Sequence, residues 1–165
     1  MNALFSWARP SHVTGNSTMA TTSTPAVLPS PPAMNRKPLV LYAVIDNSGS
    51  MGLSCGEAKG TESDGYSRLD LVKHTLNTII MSLSDEDQVC IVKFSSSASV
   101  FVPPTKMTEK NQKAVAQKLK ELEPEDSTNI WDGVKVALDG IASLGTKELA
   151  GKNVQIYLLT DGEPN

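Results

Sequence analysis

The 165-residue chain has few cysteines, no long apolar run and little net charge, and each shortage excludes a class of protein. Its two cysteines, Cys55 and Cys90, give no disulfide framework and no paired metal-ligand spacing, which favours a reducing compartment. The apolar run over residues 39–45 is far shorter than the roughly 18–20 residues that cross a bilayer. The formal net charge of −3 gives no field that attracts nucleic acid or an anionic membrane. We therefore expect neither a membrane span nor a nucleic-acid partner.

The beginning of the chain lacks the features of a targeting sequence. It has no charged segment before its short apolar patch, so a cleaved secretory signal is not predicted. Residues 1–35 contain one arginine, Arg9, and no lysine. This low number of basic residues argues against a transit peptide. Residues 1–38 are rich in Ser, Thr and Pro without periodicity, and predict a disordered leader before a domain over residues 39–165. We expect an intracellular, cytoplasmic protein.

The part of the chain after the leader alternates strand and helix patterns. Residues 39–45 are continuously apolar, which is typical of a parallel strand buried on both faces. A glycine-bearing polar loop is expected over residues 52–66, and Ser67 can cap an amphipathic helix that follows it. The later predicted elements are a hairpin of residues 89–94 and 100–102 ended by Pro103 and Pro104, helices from Thr108 to about Leu122 and from Thr128 to Gly145, and a strand over residues 154–159.

This order predicts an α/β fold with an open, mostly parallel, doubly wound (Rossmann-like) sheet and one antiparallel edge strand. In such sheets the ligand crevice lies outside the carboxyl ends of the strands. Asp46 follows the first strand, and Asp161 stands in the turn after the last one. If those two strands are neighbours, both carboxylates lie at one crevice.

The turn after the first strand, residues 46–52, carries one carboxylate and two hydroxyls at alternate positions. These are the side chains of Asp46, Ser48 and Ser50, and all three can face one ion. Hard divalent cations favour oxygen ligands, and Mg²⁺ takes only one or two carboxylates from a protein. The turn therefore predicts an oxygen-only site.

These residues resemble a known family. Asp-x-Ser-x-Ser after a buried strand, a Thr before a helix and Asp-Gly after a later strand resemble a von Willebrand factor type A domain with a metal-ion-dependent adhesion site. The resemblance implies that Ser48 and Ser50 bind Mg²⁺ or Mn²⁺ directly, and that Asp46 and Thr128 do so directly or through water. It implies that Asp161 acts mainly through water. The implied function is non-enzymatic binding of a protein partner whose acidic residue completes the shell of the ion.

The sequence departs from the family pattern in two places. Glu125, Asp126 and Ser127 precede the Thr where the family usually has Gly-Gly or a similar small pair, and they add negative charge near the site. The chain also stops four residues after Asp161, where the family continues with further strands and helices. The resemblance therefore implies a domain without its C-terminal strands.

Two other functions are open at this stage. One is a metal-free structural domain in a larger intracellular complex, such as a ubiquitin-ligase component, and the other is a Mg²⁺-dependent hydrolase. Neither Ser48 nor Ser50 lies in a Gly-x-Ser-x-Gly nucleophile elbow. An aspartate-nucleophile phosphotransferase needs a carboxylic acid two residues after Asp46, and that position is Ser48. The sequence thus favours the binding module over either kind of enzyme.

Overall fold

Apolar strands alternate with amphipathic helices along the described part of the chain. The computed structural model describes residues 36–55, 65–125 and 127–162, which belong to one unit of residues 35–165. The predicted leader over residues 1–38 lies outside the described residues apart from its last three. The described elements are β1 (Leu39–Asp46), α1 (Arg68–Ser82), β2 (Gln88–Phe94), β3 (Ala98–Lys106), α2 (Glu109–Leu119), α3 (Ile130–Leu149) and β4 (Asn153–Leu159), with a short 3-10 helix, Gly49–Gly52, after β1.

The four strands form one sheet in the order β3-β2-β1-β4. β1 pairs in parallel with both β2 and β4, whereas β3 pairs antiparallel with β2 at the edge. The predicted α/β fold, with a mostly parallel sheet and one antiparallel edge strand, is confirmed. β1 is central and is buried from Val40 to Asp46, which explains its unbroken apolar sequence. Among the described residues, no helix combines the length and apolar character that crossing a bilayer demands.

The predicted end of the hairpin strand at Pro103 and Pro104 is wrong. β3 runs through both prolines to Lys106, and its register with β2 shifts between Val89 and Val92. A proline has no N–H to give to a sheet, so it is tolerated on an edge strand or beside a bulge. β3 is an edge strand, and its pairing with β2 is irregular at the prolines, so it meets both conditions.

Helices cover both faces of the sheet. Alternate side chains of β1 and β2 form a core with α1 and α2 on one face: Leu41, Ala43, Ile45, Val89, Ile91, Leu69, Leu76, Ile80, Val115 and Leu119. The remaining alternate side chains of these strands form a second core with α3 on the other face: Val40, Tyr42, Val44, Cys90, Val92, Phe94 and Ala137. The sheet is therefore doubly wound, as predicted.

The helix boundaries follow from local capping. The Ser67 side chain accepts the N–H of Asp70 at 3.1 Å, and the Asp70 carboxylate accepts the N–H of Ser67 at 3.0 Å, so α1 begins with a capping box. α2 ends at Leu119, earlier than the predicted Leu122. The N–H of Leu122 donates to the Leu119 carbonyl at 3.2 Å in a tightened final turn, and Pro124 disfavours helix at the residue before it.

α3 breaks near its predicted end. Its N-cap is Asn129, whose side chain accepts the N–H of Asp132 at 3.1 Å. Gly145 has a φ of +74°, in the left-handed region that glycine takes freely, and one further helical turn extends to Leu149. Gly145, the predicted end of the helix, therefore interrupts α3 without ending it.

A buried carboxylate ties the beginning of β1 to the turn before β2. Asp87 is fully buried and accepts hydrogen bonds from Arg36 Nη1, Leu39 N–H and Ser84 N–H, each at 2.8 Å, and from Ser84 Oγ at 2.9 Å. Burial alone raises the pKa of Asp87, but these hydrogen bonds outweigh it and hold the pKa well below its usual range. Asp87 therefore contributes to stability as a carboxylate.

We expect Asp87→Asn to lower the free energy of unfolding by about 2–3 kcal/mol at pH 7, because buried donors lose their charged acceptor. The folded pKa lies below the roughly 3.9 of an unfolded aspartate, so this contribution is complete above about pH 4 and is lost as pH falls further. Urea unfolding at pH 7 and at acid pH measures both effects. Asp85→Asn, at an exposed neighbouring site, is the control. An Asp87→Asn protein as stable as the wild type at pH 7 would contradict this role.

Candidate metal centre

The candidate site is built on Asp46, the last residue of β1. Its side chain is fully buried. One carboxylate oxygen accepts the N–H of Ser48 at 2.9 Å, and the other accepts the hydroxyl of Thr160 at 2.7 Å. Both donors are neutral, and the described residues give this carboxylate no ion pair. Because a buried charge is costly unless it is paired or coordinates a metal, this end of β1 favours a cation.

The turn after Asp46 presents two hydroxyls side by side. Ser48 Oγ and Ser50 Oγ lie 3.1 Å apart. The 3-10 helix fixes them, because the N–H of Met51 donates to the Ser48 carbonyl at 3.0 Å and the Met51 side chain is buried. Asn47 braces the same turn by donating its N–H to the Phe94 carbonyl at 3.0 Å. The backbone that carries the two hydroxyls is therefore held in place by its own hydrogen bonds.

The neighbouring strand β4 brings a second carboxylate to this end of the sheet. The parallel register pairs Ile45 with Leu159, so Thr160 reaches Asp46 and Asp161 follows it. Thr160 Oγ also accepts the N–H of Gly162 at 3.0 Å, which orients its hydroxyl toward Asp46. The Asp161 side chain is largely buried and receives a hydrogen bond from Arg68 Nη1 at 2.5 Å. Sequence reasoning did not single out Thr160 or Arg68.

The loop that carries Thr128 lies against the turn of Asp46. The N–H of Glu125 donates to the Asn47 carbonyl at 2.5 Å, and the N–H of Asn129 donates to the Ser95 carbonyl at 2.7 Å. Thr128 is half-buried at the start of α3. Among the described residues it makes no hydrogen bond to the other four predicted ligands. Thr128 is thus brought to this end of the sheet by its loop rather than by side-chain contact.

The residue before Thr128 has an unusual backbone. Ser127 has a φ of +71°, in the left-handed region where side chains other than glycine are strained. The family resemblance implies a small residue such as glycine near this position, and the backbone gives a physical reason for that preference. Asp126 lies outside the described residues.

The negative charge expected from Glu125 is paired. Its carboxylate accepts hydrogen bonds from Lys93 Nζ at 2.5 Å and from Ser95 Oγ at 2.8 Å. Both hydrogen bonds lower the pKa of Glu125, and the one from Lys93 has the larger effect. Glu125 is therefore an ionised but neutralised neighbour of the site.

The donor set fits a hard divalent cation. Among the described residues no group of three or more His, Cys, Asp or Glu side chains is placed to hold a metal ion. The site instead offers carboxylates at Asp46 and Asp161 and hydroxyls at Ser48 and Ser50, all of them oxygen donors. Mg²⁺ and Mn²⁺ accept such ligands and keep bound waters, whereas softer metals favour imidazole and thiolate.

Residues 41–163 match the family model of the von Willebrand factor type A domain. The fold is similar to the PilB minor pilin from Streptococcus sanguinis, at 24% identity and a TM-score of 0.64, over 82% of this chain and 32% of that one. It is also similar to the vWF domain of the type V pili tip protein Mfa5 from Porphyromonas gingivalis, at 20% identity and a TM-score of 0.57, over 78% of this chain and 39% of that one. The pilus adhesin SpaC from Lactobacillus rhamnosus GG, in an open conformation, aligns at 23% identity and a TM-score of 0.59, over 79% of this chain and 15% of that one.

The three similarities cover only part of each solved structure. This chain spans less than two fifths of the length of each of the three solved structures. At identities below 25% they show the fold alone. No curated protein matches the chain.

Proposed function

The chain belongs to the von Willebrand factor type A domain family, and from this premise we propose that it is a divalent-metal-dependent protein-binding module. The bound ion is Mg²⁺ or Mn²⁺, and the partner is a protein that presents an acidic residue to it. The observation that carries the proposal is the Asp46 carboxylate, fully buried with only neutral donors among the described residues. It lies at the carboxyl end of the central strand, beside a pair of hydroxyls.

Five side chains would hold the ion: Asp46, Ser48, Ser50, Thr128 and Asp161. Ser48 and Ser50 are neutral ligands, so the protein supplies few negative charges to the site. When bound, the ion offers an open, incompletely neutralised positive charge to which a carboxylate of a partner can bind. The N–H of Ser48 and the hydroxyl of Thr160 keep the Asp46 carboxylate in one orientation. Because the protein supplies few carboxylates, the bound ion would favour a partner that presents an acidic residue.

The same geometry favours a binding role over hydrolysis. The neighbour of Ser48 Oγ is Ser50 Oγ, which is not a base that could activate it. His74 is exposed on α1, outside this group of residues. A cytoplasmic location belongs to the proposal and is supported by two free cysteines, Cys55 exposed and Cys90 buried.

Mn²⁺ titration by calorimetry tests the assignment of the two hydroxyls. We expect saturable one-site binding to the wild-type chain and about 100-fold weaker binding to Ser48→Ala/Ser50→Ala, because two direct ligands are lost. The control is Ser82→Ala/Ser143→Ala, which removes two exposed hydroxyls bonded to their own helices. Unchanged affinity in the Ser48/Ser50 variant, with its fold intact, would place the ion elsewhere.

A further inference from the structure

Arg68 gives Asp161 a positive partner within the chain. Its Nη1 donates to Asp161 Oδ2 at 2.5 Å across 93 positions of sequence. The Asp161 side chain is 9% exposed, whereas that of Arg68 is 34% exposed. The pair therefore has a largely buried acceptor and a more accessible cation.

Arg68 is held in reach of Asp161 by the start of α1. It is the first residue of that helix, directly after the Ser67 capping box. Its N–H donates to the Leu53 carbonyl at 3.0 Å, which ties it to the segment after the 3-10 helix. Arg68 is thus tied by a backbone hydrogen bond to the segment that follows Ser48 and Ser50.

A guanidinium and a divalent cation compete for the same carboxylate. Arg68 places a fixed positive charge on Asp161. A bound divalent ion would bring two further positive charges to this place, and like charges at a few ångströms repel. Arg68, which bonds Asp161 Oδ2, therefore weakens the attraction of Asp161 for the ion, and withdrawal of Arg68 would strengthen it whether Asp161 acts directly or through water.

The released side chain has space to occupy. Arg68 lines a surface cavity of about 480 Å³ with Leu53, Ser54 and Cys55. A guanidinium on a flexible stem can turn toward this cavity and exchange its bond to Asp161 for contact with water.

We propose that Arg68 is an intramolecular competitor for the metal centre: by pairing with Asp161 it lowers the affinity of the site for Mg²⁺ and Mn²⁺. This inference rests on the proposed function. It makes cation binding depend on an exchange of partners at Asp161. The affinity of the site is then set by Arg68 as well as by the ligands.

The test is Mn²⁺ titration of the full chain carrying Arg68→Gln, with Arg68→Lys as a second, charge-conserving variant. We expect Arg68→Gln to bind Mn²⁺ about tenfold more tightly than the wild type, since it removes both the competing ion pair and the repulsion. Arg68→Lys keeps the charge and stays within about threefold of the wild type. Lys73→Gln removes the same charge from a position on α1 beside Asp70 and leaves the affinity unchanged.

Thermal unfolding separates competition from a merely structural contact. Without metal, Arg68→Gln unfolds at a lower temperature than the wild type, because the ion pair of Arg68 with Asp161 is lost. With saturating Mg²⁺ this difference shrinks, since the tighter-binding variant gains more from the ion. A structural contact alone would leave the difference unchanged.

The outcomes distinguish the two proposals. Equal or weaker Mn²⁺ affinity in Arg68→Gln, beside a wild type that binds, overturns the competitor role and leaves the metal-binding function standing. Absence of binding in a folded wild type and in both Arg68 variants overturns the metal-binding function and the competitor role together.

Discussion

Asp46→Asn is expected to weaken Mg²⁺ and Mn²⁺ binding by about 1000-fold while the domain stays folded. Asn has the size of Asp, and its carbonyl oxygen can still accept the N–H of Ser48 or the hydroxyl of Thr160. It lacks the negative charge, whose attraction for a divalent ion at ligand distance is several kcal/mol even at an effective dielectric constant of about 20. Calorimetric titration measures the affinity, and circular dichroism with urea unfolding measures the fold.

The matched control is Asp139→Asn, an exposed aspartate on α3 that pairs with Lys135. It should change neither affinity nor stability by a measurable amount. An Asp46→Asn protein that binds Mn²⁺ like the wild type would contradict the site. One that unfolds would favour the structural-domain alternative, in which Asp46 serves the fold rather than an ion.

Phe94→Ala is expected to lower the free energy of unfolding by about 3–5 kcal/mol, the usual cost of a large cavity under a helix. Phe94 ends β2 with its ring fully buried against α3. Its contact is so close that a Cβ added at Gly133 would lie 2.6 Å from Phe94 Cδ1. Urea unfolding measures the loss, and Val100→Ala, a half-exposed site on the edge strand β3, is the control.

A double-mutant cycle with Gly133→Ala tests the same contact from the other side. Gly133→Ala alone should cost about 1–3 kcal/mol, because the ring of Phe94 must shift to admit the methyl group. In the Phe94→Ala background that methyl group fills part of the cavity. The double variant should therefore lose less stability than the sum of the losses of the two single variants. Additive losses would show that α3 does not pack on Phe94 as described.

The mostly parallel α/β fold followed from physical patterns that the sequence carries locally, whereas the strand order β3-β2-β1-β4 came from the structure. The continuous apolar run of β1 predicts burial on both faces, and the structure places it between two parallel neighbours. β4 also has a largely apolar sequence but is an edge strand, with Val154 38% and Leu158 42% exposed. Composition alone does not distinguish these cases, because burial of a strand depends on which elements lie beside it.

The sequence likewise predicts only part of the candidate site. Asp46, Ser48 and Ser50 belong to one turn, so their spacing is readable from the sequence. Asp161 could be added because parallel strands end at one edge of the sheet. The contact of Thr160 with Asp46 spans 114 positions and that of Arg68 with Asp161 spans 93. No local periodicity or motif marks such pairs, so only the assembled fold shows them.

Paramagnetic broadening by Mn²⁺ in a ¹H–¹⁵N spectrum of the full chain tests most directly whether the ion binds at the carboxyl end of β1. If the ion binds there, substoichiometric Mn²⁺ first broadens the amides of residues 46–52, 127–129 and 160–162, and excess Mg²⁺ restores them. Broadening centred instead on the exposed carboxylates Glu109 and Asp139, or on the far end of the sheet near Asp87, would contradict it.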